Sequence, residues 1–452
     1  MELDQFKGNT MLNENPPKQL KRELDWLSAA IMGLASVIGA GIFVSIGLAA
    51  EISGSAAIAA LIVAGLLAAC NSLNLAQLAV NHPVSGGIYE YGYKYLTPWL
   101  GFTGGWIYLL SKTAVAATAA LGFSGYLLNN LGITDAGILV PVAEIGVFVI
   151  TFIVLGGMRS SKISTIVVVS ITILSLLCLI IVGFFFGFTH GFEKLTFSGT
   201  NSHHWTINFL QSVALMFVSY NGAARISMVG EEIVDPKKSI PRAIIFTIIA
   251  TMLLYICVAV VSLGSIGSDA FAEATRLNAA PLKAVADSFG IPFVANFLAV
   301  GAVTSMLSIL LTTVLGVSRL LLAMARRGDM PSFFAKLNSA GTTPDLAVIA
   351  VGIMIALLVF IGDVKVTWSF GTFGALYRSA IVSLAALQIS NEERLYPKWI
   401  SWLSFWSSLL LAFCIEWRYW LIGLGLMGVG LIWHFIFRQI NSTENIEVTL
   451  KE

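Results

Sequence analysis

Charge is scarce in this chain. Only 11% of its 452 residues are Asp, Glu, Lys or Arg, and the net charge is +1. No basic stripe marks a nucleic-acid partner. Histidine is scarcer still, with five residues, and no His/Cys spacing of a metal site is present. The four cysteines, Cys70, Cys178, Cys257 and Cys414, all fall in apolar stretches. They read as small buried residues, not as a disulfide framework. There is no phosphate-cradling glycine loop and no paired nucleophile and base, which argues against an ATP-driven pump and against an enzyme. No cofactor is expected. What abounds is apolar: 57% of residues are hydrophobic and the mean hydropathy is +0.85.

Runs of about 20 apolar residues, each long enough for a hydrocarbon core about 30 Å thick, recur along the whole chain. Twelve spans are expected, at roughly 25–50, 56–80, 98–127, 136–157, 162–188, 205–230, 241–265, 292–325, 346–362, 366–388, 398–415 and 417–438. The polar segments 1–24 and 439–452 read as solvated tails, and the first span has no cleavage site of a removable signal peptide. With both termini in the cytoplasm, seventeen Lys and Arg fall in inner segments and five in outer ones. The positive-inside rule therefore favours twelve spans with both ends inside.

Two spans carry breaks. Residues 35–43 read Ala-Ser-Val-Ile-Gly-Ala-Gly-Ile-Phe, and Gly39 and Gly41, following Gly33, weaken a helix that must otherwise satisfy its own backbone in lipid. The alternative is a small-residue packing surface between helices. Five spans later Asn221-Gly222 interrupts the sixth span in the same way. Paired interruptions at corresponding places in two halves point to a secondary-transporter site, where opened backbone meets a substrate and a half-helix start attracts an anion.

The residues around these breaks are recognisable. Ala35–Phe43, Pro83-Val-Ser-Gly86-Gly87-Ile-Tyr89, Tyr220 to Ile244 with Glu231-Glu232 and Pro241-Arg242-Ala243, and Ser318-Arg319 through Arg326 to Pro331 occur in order. In these segments the chain resembles the amino acid–polyamine–organocation (APC) family of amino-acid permeases. The resemblance implies an all-α, LeuT-like fold of 12 transmembrane helices with helices 1 and 6 discontinuous. It implies inverted five-helix repeats at about 25–188 and 205–388, two extra helices at 398–438, and alternating access in a cell membrane.

It also implies a division of labour at the breaks. The N–H groups of Gly39, Ala40 and Gly41 would meet a substrate carboxylate, and carbonyls near Ser36, Val37, Tyr220 and Asn221 its ammonium group. Phe217 and Tyr220 are expected as an aromatic lid, with ordinary packing as the alternative. Small residues at Gly222-Ala223-Ala224 depart from relatives with a larger residue there, which favours a medium or large neutral amino acid. No acidic residue lies near either break, and Lys112 and Arg225 would repel a cationic substrate or an amine.

Four cations fall inside spans: Lys112, Arg225, Arg319 and Arg378. Charges at such depth are costly and are functional candidates. Arg319 and Arg378 lie nearer the cytoplasmic ends and suit snorkelling or pairing, while Arg225 could help close the inner path. Many family members carry a lysine in the fifth helix; here that position falls near Thr172. Either Lys112 supplies the amine and carries a proton, or Thr312 and Thr313 supply oxygens to a sodium ion. Protons are favoured, because a mid-membrane lysine needs a reason.

Overall fold

Aspartate at position 25 starts the first helix by accepting a hydrogen bond from the Ser28 N–H at 3.1 Å, the usual N-cap arrangement. Helix α1 (Trp26–Val37) then ends at Ile38, whose backbone is extended. A π-turn at Gly41–Ser45 restarts the helix, which continues as α2 (Ile46–Ser53). In the computed structural model the described residues are 24–82, 87–133, 135–157, 162–191, 194–195, 204–228, 233–339 and 341–449. Glu231 and Glu232, Pro83–Gly86 and the tail before residue 24 lie outside them.

The chain continues through α3 (Ala57–Asn81), α4 (Ile88–Tyr95), α5 (Pro98–Asn130), α6 (Leu139–Leu155) and α7 (Lys162–His190). Helix α8 (Trp205–Ser219) ends at a 3-10 turn, Asn221–Ala223, followed by the short α9 (Ala224–Met228). Next come α10 (Pro236–Ile266), α11 (Ser268–Asn278), α12 (Pro281–Ser288) and α13 (Pro292–Arg326). The last four are α14 (Asp345–Val359), α15 (Val364–Leu387), α16 (Lys398–Cys414) and α17 (Trp417–Thr449). Helix α17 thus runs beyond residue 438, where a solvated tail was expected. Among the described residues there is no strand, only an isolated bridge between Leu24 and Ile233.

Each of the twelve expected spans falls on a helix or a broken pair of helices. Among the described residues, seven helical stretches are by themselves long and apolar enough to cross a membrane: 41–81, 98–130, 163–189, 236–266, 292–326, 364–387 and 417–437. Trp26–Val37, Leu139–Leu155, Trp205–Ser219 and Asp345–Val359 are apolar but shorter. Outward residues such as Leu66, Phe152, Ile163, Phe185 and Phe188 are exposed. An all-round apolar helix of this kind is what a lipid environment selects.

Helix α5 runs through the centre of the bundle, its middle turns buried. Two ends can be told apart. At one, α4 packs beside the loop after α13, where Arg327 pairs with Glu90 at 2.8 Å. At the other, Lys365 joins Glu51 at 3.2 Å and Glu416 at 3.3 Å. There α11 packs on α2 and α12 on the π-turn before it, and the Tyr126 hydroxyl donates to the Phe43 carbonyl at 2.9 Å and accepts from the Leu282 N–H at 3.1 Å.

Candidate functional site

The two breaks touch. A Cβ added at Gly222 would lie 2.1 Å from the Ser36 carbonyl oxygen and 2.4 Å from the Val37 nitrogen. One added at Gly41 would lie 2.9 Å from Ser219 Cα. These two glycines are what permit backbone to meet backbone. The room expected at Gly222 for a larger substrate is therefore occupied by α1; the side chains of Ala223 and Ala224 lie outside the described residues.

Opening α1 frees carbonyls that the protein takes up with hydroxyls. Tyr255 of α10 donates to the Val37 carbonyl at 2.9 Å, and Ser305 of α13 to the Ile38 carbonyl at 2.9 Å. The Gly39 carbonyl accepts from the Ile42 and Phe43 N–H groups at 3.0 and 3.2 Å. The helix thus restarts at Gly39, and the N–H groups of Gly39, Ala40 and Gly41 belong to its first turn, where no earlier turn supplies acceptors. Ser219 and Ser45 share a hydrogen bond at 2.8 Å beside this start. That combination of amides and hydroxyls suits a carboxylate. A carbonyl has two lone pairs, so Val37 retains one for an ammonium group.

From these breaks a cavity of about 1120 Å³ runs to the end of the bundle that bears Glu90, Arg327 and Thr342. Of the residues expected at the substrate, Ser36, Val37, Ala40, Gly41, Asn221 and Gly222 line it. Gly39 is not on its wall; it faces Ile309 and Ser305 of α13. Phe217 and Tyr220 are not on the wall either, so the expected aromatic lid is not formed by them here. Both are 1% exposed. Tyr220 turns away, its hydroxyl donating to the Leu61 carbonyl at 3.2 Å and its ring 5.5 Å from that of Tyr255. Three other aromatics among the described residues line the cavity: Tyr89, Tyr108 and Trp368 of α15, the last fixed by its indole N–H to the Leu215 carbonyl at 3.1 Å.

The coupling candidates separate in the same way. Lys112, Arg225, Thr312 and Thr313 line the cavity, and so do Arg319 and Arg378. Thr172 does not. Its hydroxyl donates to the Val168 carbonyl at 2.8 Å and approaches that of Gly301 at 3.4 Å. Thr312 donates to the Ser308 and Ile309 carbonyls at 2.9 and 3.2 Å. Glu144 of α6 is not on the cavity wall, and both its oxygens are buried without a hydrogen-bond partner among the described residues. No group of three His, Cys, Asp or Glu able to hold a metal occurs among the described residues.

The cavity mouth was not foreseen from the sequence. Asp329, just past the end of α13, accepts from the Tyr89 hydroxyl at 2.5 Å and the Tyr93 hydroxyl at 2.6 Å, and its other oxygen is 3.2 Å from His434 Nδ1. Burial and the Asp329 carboxylate hold both phenols above their ordinary range, so they stay hydrogen-bond donors. The Arg327 guanidinium lies over the Tyr93 ring at 4.2 Å.

Comparison with known proteins agrees with this architecture. The family model described as "Amino acid permease" matches residues 29–448. An uncharacterised transporter of Mycobacterium tuberculosis is 32% identical, over 94% of this chain and 93% of its own. A branched-chain amino acid permease of Bacillus subtilis is 28% identical over 84% and 83%. A vacuolar cationic amino acid transporter of Arabidopsis thaliana is 26% identical over 83% and 64%. Relatives with such different named substrates leave the side chain this site prefers to its own chemistry.

Proposed function

This chain belongs to the amino acid permease family, and from that premise we propose that it carries an amino acid across the cell membrane by alternating access. One observation carries the reading: two interrupted helices meet at the floor of a cavity that runs to one end of the bundle. The opened backbone at Ser36–Gly41 and Ser219–Gly222 holds the main-chain carboxylate and ammonium, which every amino acid shares. Trp368 and the apolar wall take the side chain. The fold is the LeuT-like one, with twelve membrane helices in inverted repeats of five and two more. Both termini are cytoplasmic, so the open end faces the cytoplasm, and Tyr126 with α11 and α12 closes the outer end.

The substrate side chain carries no positive charge, because the described cavity wall holds several cations and one carboxylate, Glu90. That weighs against arginine, lysine and amines. Coupling is assigned to a proton carried by Lys112, the amine on the cavity wall. The sodium reading rests on Thr312 and Thr313, which also line the cavity.

The test is uptake of a panel of radiolabelled amino acids into proteoliposomes under imposed proton or sodium gradients. The wild-type protein should concentrate substrate under an inward proton gradient, and Lys112→Met should lose that response. Equal responses to the proton gradient would remove Lys112 as carrier. A response to sodium alone would favour the threonine site.

A further inference from the structure

Lys112, Arg225, Arg319 and Arg378 come from four different helices, α5, α9, α13 and α15, and all line the one cavity. Their convergence depends on a close seam between α5 and α15. A Cβ at Gly374 would lie 2.5 Å from the Ser111 side chain, and one at Gly371 3.4 Å from the Ser111 carbonyl oxygen. Along this seam α15 turns Gly371, Ala375 and Arg378 to the cavity and α5 turns Tyr108, Ser111 and Lys112, the spacing of one helix face. The Tyr108 ring lies between the cations, 5.2 Å from the Arg378 guanidinium and 5.8 Å from the Lys112 amine.

Among the described residues these charges face the cavity without a carboxylate partner. Arg378 is 3% exposed, yet among the described residues no salt bridge reaches it, Lys112, Arg225 or Arg319. Glu90, the one carboxylate on the described wall, is at the mouth and engaged by Arg327. Like charges converging in a low-dielectric cavity repel one another, and a concave site lined by one sign concentrates the opposite sign. Arg225 is one helical turn beyond Asn221, about 5 Å along the axis. That is the reach of a short acidic side chain whose main-chain groups rest on the breaks.

We propose that the site selects a dicarboxylic amino acid, its second carboxylate held between Arg378, Arg225 and Lys112 on the cytoplasmic side of the breaks. This rests on the permease reading above and replaces the neutral side chain expected from sequence, where Lys112 and Arg225 were the cations considered near the site. An Arg378 fork pre-set by Tyr108 favours two-oxygen recognition of a carboxylate over the amide of the same shape.

The experiment compares L-glutamate with L-glutamine and L-aspartate with L-asparagine, each radiolabelled, in proteoliposomes at constant chloride, with L-leucine as a third class. The wild-type protein should take up each acid at least about tenfold more efficiently than its amide. Arg378→Gln should bring that ratio towards one, and Arg378→Lys should restore part of it. Amides or leucine transported as well as the acids would overturn the proposal and leave the permease reading intact. Uptake of none of these amino acids by a protein that remains folded would overturn both. The wild-type ratio decides the matter even where a variant fails to fold.

Discussion

The deep cavity and its mouth are both rich in charge, and they use it in opposite ways. At the mouth charges are engaged: Glu90 with Arg327, and Asp329 with Tyr89, Tyr93 and the His434 ring. Elsewhere on the wall Lys112, Arg225, Arg319 and Arg378 form no salt bridge among the described residues. Paired charge ties elements together: α4, the end of α13 and α17 meet at Asp329, where the Trp433 indole also donates to the Asp329 carbonyl at 3.2 Å. Unmatched charge of one sign in a concave site is arranged for something that arrives. On the proposed reading, the difference separates side chains that hold the protein from side chains that hold its cargo.

Substitutions can break that division, beginning with the floor that both regions depend on. Gly222→Ala puts a methyl against the Ser36 carbonyl. Overpacking there costs about 1–3 kcal/mol and displaces both breaks, so initial-rate uptake should fall to background while the purified protein still shows a cooperative, lowered thermal midpoint. Wild-type uptake would show that the breaks need not touch. Arg378→Gln comes next: efficiency with acids should drop about tenfold, with little change in thermal midpoint. A large loss of stability instead would mean that Arg378 belongs with the structural charges.

Asp329→Asn should do the reverse. Removing one partner from a buried charged cluster costs about 3 kcal/mol, read as a lowered thermal midpoint, while the acid-to-amide uptake ratio stays at its wild-type value. A changed ratio would place the mouth in substrate selection. The smallest effect is expected at Lys365→Met, at the closed end, where the ion pairs to Glu51 and Glu416 are part-exposed. Such pairs contribute below about 1 kcal/mol, so the thermal midpoint and uptake should barely move.

The breaks were legible in the sequence because they are local. Gly39, Gly41 and Asn221-Gly222 weaken a helix wherever it packs, and apolar length marked the helices around them. The face that each neighbour presents was not legible, because packing decides it. Val218, Ser219, Asn221 and Gly222 line the cavity, whereas Tyr220 in their midst turns toward α3 and α10. Trp368 gave a weak signal, since a tryptophan within a span needs an acceptor for its indole N–H, but nothing local assigned Leu215 to it. The four cations were visible one at a time; their convergence is a property of the fold. Asp329 was hidden for the same reason, its partners being 240, 236 and 105 positions away in the chain.

Chemical blocking of the substrate examines the meeting of the two breaks without altering the protein. Uptake of the best-transported labelled amino acid would be challenged with that amino acid, its α-carboxamide and its N-acetyl derivative. If the α1 restart holds the carboxylate and the opened carbonyls hold the ammonium, blocking either group should raise the half-inhibitory concentration about tenfold or more. Blocked analogues that compete as well as the parent amino acid would contradict a main-chain site at Ser36–Gly41 and Ser219–Gly222.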